Sequence, residues 1–117
     1  MKTSIRSGER WFGVEITPDG RLVVVERAQC GPVHVAEYPS GKTGARALRQ
    51  HIERERQHSH VCIKACGAAA IGVTTALAPT LGVEVTLVPA QALRDATVAG
   101  SPKETAAHLA RLAERLF

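Results

Sequence analysis

The feature that most constrains this chain is a change of hydrophobic period at Tyr38. Before it, apolar residues come in short runs separated by tight-turn chemistry. Trp11, Phe12, Gly13, Val14, Glu15 and Ile16 form a strand pattern. It stops at Thr17-Pro18-Asp19-Gly20, where Gly supplies the positive φ of a tight turn. Leu22 to Val25 is a β-branched run, and Gly31-Pro32 turns the chain into a third strand over Val33 to Tyr38. Connections this short join antiparallel strands, so these three runs read as a meander.

After Tyr38 the spacing is helical. Ala45, Leu48 and Ile52 recur on one face, with Arg46, Arg49, Glu53, Arg54 and Arg56 on the others. Val61-Cys62-Ile63 is a short apolar strand closed by Gly67. Ala68 to Leu81 reads as a buried helix of small residues, its last turn limited by Pro79. Val83 to Val88 is a further strand stopped by Pro89, and residues 90–98 suggest a short helix. The last element carries the strongest signature. Ser101 as N-cap, Pro102 at the first helical position and Glu104 three residues after the cap form a capping box. Ala106, Leu109, Ala110, Ala113 and Leu116 then give one apolar stripe.

The order β-β-β-α-β-α-β-α predicts an α/β fold. A meander followed by two helix-separated strands makes a mixed sheet, with the later strands parallel to the first and helices on both faces. This is the order of the RNase H-like fold. At 117 residues the chain fits one domain, expected over residues 11–117, preceded by a flexible basic arm over residues 1–10. No apolar run reaches the roughly 18 residues needed to span a bilayer. The N-terminus lacks the apolar stretch of a signal peptide, so a cytoplasmic protein without membrane contact is expected. An odd number of cysteines, Cys30, Cys62 and Cys66, argues against a disulfide framework. Aromatics make up only 3% of the chain, which disfavours a nucleic-acid face built from stacked rings.

Four local patterns resemble the N-terminal, RuvC-like domain of the DEDD insertion-sequence transposases. The family's first strand reads G-[IV]-D-[VI]-[ST]; here it is Gly13-Val14-Glu15-Ile16-Thr17. The family's V-x-[LIM]-E-A-[ST]-G strand is matched by Val61-Cys62-Ile63-Lys64-Ala65-Cys66-Gly67. Its V-[NV]-P-x-x-[VL]-[RK] segment is matched by Leu87-Val88-Pro89-Ala90-Gln91-Ala92-Leu93-Arg94. Its K-T-D-x-x-D-A helix falls on Lys103-Glu104-Thr105-Ala106-Ala107-His108-Leu109. The resemblance spans about residues 11–117 and implies an RNase H-like nuclease scaffold.

The departures from that pattern shape the functional expectation. Such nucleases hold two divalent ions with carboxylates, because hard cations that activate water need oxygen ligands. The first family Asp falls at Glu15, the family Glu at Lys64, and the last two Asp positions at Thr105 and His108. Only Glu15 keeps a carboxylate. Glu104 lies about 100° around the helix from Thr105 and does not substitute for it. A Lys beside the surviving acid repels a metal ion. No catalytic residue, metal or cofactor is therefore expected. The family's second, C-terminal region is also missing from this chain, which implies a free-standing degenerate domain.

Two other patterns carry little chemistry. His51, His58, His60, Cys62 and Cys66 cluster in sequence but contain no CxxC or HxxxH pair. Two cysteines four apart on a strand stand roughly 13 Å from each other, too far to share an ion. Ser40-Gly41-Lys42-Thr43 echoes the end of a P-loop, but Ala36 stands where its first Gly belongs.

Residues 41–60 hold five basic residues, Lys42, Arg46, Arg49, Arg54 and Arg56, against two acidic ones. Their net +3 and the arm's net +2 together exceed the chain's +4, because the remaining residues are net −1. A basic helix suits phosphates, so these five are the expected nucleic-acid contacts. The leading expectation is a non-catalytic, transposase-derived binding module. Its partner would be DNA, RNA or a protein of the parent mobile element. One alternative is an active metal-dependent nuclease or transposase fragment using Glu15. Another is a protein-interaction scaffold without nucleic-acid role, forming a homodimer through the small residues of 68–81.

Overall fold

The computed structural model describes residues 9–28, 33–55, 58–65, 67–93 and 101–116. Three strands open the chain: β1 (Arg10–Ile16), β2 (Leu22–Ala28) and β3 (His34–Tyr38). The turn between β1 and β2 forms as its residues dictate. Gly20 takes φ +90° and donates its N–H to the Thr17 carbonyl at 2.8 Å, while the Thr17 hydroxyl bonds the Asp19 carboxylate. Helix α1 (Gly41–Glu55) then leads into β4 (Ser59–Lys64), α2 (Ala68–Leu77), β5 (Val83–Val88), the single turn α3 (Ala90–Leu93) and α4 (Pro102–Leu116).

The result is an α/β protein built on one mixed sheet of order β3-β2-β1-β4-β5. Strand β2 is antiparallel to β1 and β3, whereas β1, β4 and β5 run parallel. Side chains alternate across the sheet and feed two cores. On one face Phe12, Val14, Val24 and Ile63 meet Leu48 and Ile52 of α1 and Val73 and Leu77 of α2. On the other, Trp11 and Cys62 meet Leu109 and Ala113 of α4, and Val23 and Val25 meet its Ala106 and Ala110.

Helix α4 is fixed at its first turn and along its buried face. Its capping box closes as expected: Ser101 N–H donates to Glu104 Oε1 at 2.9 Å, and Glu104 N–H donates to Ser101 Oγ at 3.2 Å. Its seat is Gly13. A Cβ there would overlap the carbonyl oxygen of Ala106 and the amide nitrogen of Ala110, so the helix backbone lies directly on β1.

Three expectations change. Arg10 is not part of an arm: it pairs with Ala28, donates its N–H to the His58 carbonyl at 3.0 Å, and begins β1. Helix α2 stops at Leu77, four residues early. Pro79 has no N–H to continue the ladder, and Thr80 N–H turns back to the Leu77 carbonyl at 3.0 Å. Nor is α2 buried all round. Ala70, Val73 and Leu77 are covered, but Ile71 is 60% exposed. The expected helix over 90–98 is seen as α3, the rest of it falling outside the described residues, as do the Gly31-Pro32 turn and most of the arm.

Candidate functional site

Glu15 and Lys64 lie near the ends of neighbouring parallel strands. The parallel register pairs Val14 with Ile63, which brings the next residues, Glu15 and Lys64, side by side on the α4 face. Lys64 Nζ stands 3.7 Å from Glu15 Oε2. Glu15 is nearly covered, and its other oxygen, Oε1, is buried with no hydrogen-bond partner among the described residues. Burial pushes the Glu15 carboxyl above its usual range, while the Lys64 ammonium partly offsets the rise.

Thr105 and His108 lie on α4. Thr105 is buried, and His108 is half-buried with its pKa lowered by burial and by the neighbouring Arg111 and Arg115 charges. Among the described residues no hydrogen bond or ion pair links either of them to Glu15 or Lys64, and Glu104 is committed to the helix cap. No group of three His, Cys, Asp or Glu among the described residues is arranged to hold a metal ion. What this end of the sheet offers is one acid neutralised by one base.

The histidines and cysteines also separate. Cys62 sits in the α4 core with its thiol pushed up to about 11 by burial, which keeps it protonated and a poor nucleophile at neutral pH. His60 faces Glu84 at 3.4 Å and Glu9 at 4.0 Å, and Cys66 lies outside the described residues. His51 turns to the opposite face, where its Nε2 meets Glu26 Oε1 at 2.8 Å. Arg10 pairs with the other oxygen of Glu26. This buried Glu26 cluster was not expected. The signal was present, since Glu26 falls in phase with Leu22 and Val24 on the inward side of β2.

The basic helix gives a different result. Lys42, Arg46 and Arg49 line one wall of a groove of about 600 Å³ between α1 and α2. Their spacing of i, i+4 and i+7 keeps them on a single face. Arg54 falls about 120° around from Lys42 and lies near Tyr38, so it does not join them. Arg56 lies outside the described residues. Arg49 Nε is 3.9 Å from Glu53 Oε1, the expected i, i+4 contact. Among the described residues Lys42 and Arg46 have no acidic partner, and no Asp or Glu lines the groove. The opposite wall is uncharged: Ala69, Gly72, Val73, Thr75 and Ala76 of α2, with Leu22 at the base.

No helix among the described residues is long and apolar enough to cross a membrane. Comparison with known proteins matches this chain to no family model and to no curated protein.

Proposed function

We propose that this chain is a non-catalytic RNase H-like domain of transposase descent, working as a binding module for an anionic partner. A meander followed by two parallel strands, with helices on both faces, supports the scaffold. The observation that carries the loss of chemistry is the Lys64 ammonium 3.7 Å from Glu15. A two-metal nuclease needs several carboxylates converging there, and this site supplies one, already neutralised. The binding face is the α1–α2 groove, where a row of cations faces solvent with no lining acid.

The test is incubation of the purified chain with plasmid DNA and single-stranded RNA in Mg²⁺ or Mn²⁺. Neither substrate is cut by the native protein or by Glu15→Gln. Metal-dependent cleavage that disappears in Glu15→Gln would establish a nuclease instead.

A further inference from the structure

The geometry points to an amphipathic, acidic helix of a partner protein as the occupant of the α1–α2 groove. This rests on the binding-module reading and names the partner class. Lys42, Arg46 and Arg49 form a ridge about 10 Å long at the 1.5 Å rise of a helix. Acidic residues at the same i, i+4 and i+7 spacing on a facing helix meet all three. The other wall decides between anions. Ala69, Gly72 and Ala76 follow one another along α2 as an uncharged row of small side chains. A Cβ on Gly72 meets nothing within 4 Å, so the space above it is open. Such a row allows a second helix to approach closely and to bury its own apolar stripe.

Other occupants fit less well. A second copy seated symmetrically would bring its own Lys42, Arg46 and Arg49 to the same seam, in a chain already at +4. A nucleic-acid backbone would satisfy the cations but leave phosphates and sugars against the apolar wall. No aromatic ring lines the groove for a base to stack on, and Trp11 and Phe12 are buried in the core. An acidic helix satisfies both walls. Carboxylates meet α1, and alanine- or leucine-type side chains meet α2, in the helix-in-groove manner.

The experiment pans a display library of 18-residue helical peptides, with a fixed apolar stripe and randomised flanks, against the whole chain. Enriched peptides are then titrated by fluorescence anisotropy, alongside a 20-nucleotide single strand and a 20-base-pair duplex. The expected result is enrichment of Asp and Glu at i, i+4 and i+7 beside the stripe. Affinity falls about tenfold or more in Arg46→Glu and again in Gly72→Leu, which fills the open space on the α2 wall. Circular dichroism checks that both variants stay folded. Enrichment without acids, or binding indifferent to both variants, overturns the proposal. Nucleic acid that binds in an Arg46-dependent but Gly72-independent manner also overturns it and leaves the binding module standing. If neither peptides nor nucleic acid bind, both readings fail.

Discussion

Helices α2 and α4 cover opposite faces of the same sheet, and they differ in how completely their own surfaces are used. Helix α4 is amphipathic. Ala106, Leu109, Ala110 and Ala113 are fully buried, while Lys103, Glu104, Arg111 and Arg115 sit toward water. Its outward Glu114 also ties back to Arg27 of β2 at 2.9 Å. Helix α2 carries no charge at all. It buries Ala70, Val73 and Leu77 and leaves Ala69, Ile71, Gly72 and Thr75 exposed. An apolar helix is normally enclosed on every side. Here nothing among the described residues covers the outer half. Helix α4 completes the fold, whereas α2 leaves an uncharged outer surface that no described residue covers.

The largest effect is expected at the seat of α4. Gly13→Ala forces a methyl into the backbone of Ala106 and Ala110, so the helix must lift off β1. We expect a loss of about 3 kcal/mol or more, read as a lower urea midpoint, because packed backbone does not yield to an added carbon. Unchanged stability would show that α4 is not seated on Gly13.

A paired substitution then contrasts the two sides of α2 itself. Leu77→Ala empties a fully buried position and costs about 2–4 kcal/mol. Ile71→Ala, at a site 60% exposed, stays within about 0.5 kcal/mol in the isolated chain. A large loss at Ile71 would mean that the outer face of α2 is already covered, for instance by self-association, which light scattering would reveal.

The smallest effect concerns Glu15, on the α4 side of the sheet. The folded-state pKa of Glu15 is raised, so folding disfavours its ionised form. The resulting penalty is present above that raised value and disappears as pH falls below the ordinary carboxylate range. Glu15→Gln removes it. Around neutral pH the variant should match or slightly exceed the native stability, and the difference should shrink toward pH 4, followed by thermal melts across pH. A variant clearly less stable at pH 7 would show that the Lys64 contact outweighs the burial cost.

Much of the architecture is legible in the sequence. Periods of two and of helical spacing set apart the elements, and the Ser101–Glu104 capping box marked the start of α4 to the residue. Other features were not legible. Arg10 looked like part of a polar arm because its partner, Glu26, is sixteen residues away and meets it only through the β1–β2 pairing. Five basic residues within residues 41–60 looked like one patch, although helix rotation sends Arg54 away from Lys42, Arg46 and Arg49. The exposure of α2 was hidden for a related reason. An apolar sequence reports what a surface could bury, not whether anything lies against it.

By itself, then, the sequence determined the elements, their order and the absence of a carboxylate at Lys64, Thr105 and His108. These depend on side-chain chemistry and on neighbours within a few residues. Tertiary structure decided what those residues do. It placed Lys64 against Glu15, seated α4 on the bare backbone of Gly13, and opposed the cations of α1 to the uncharged wall of α2. Each of those outcomes requires two segments distant in the chain to meet, and the direction in which they meet is set by packing across the whole sheet.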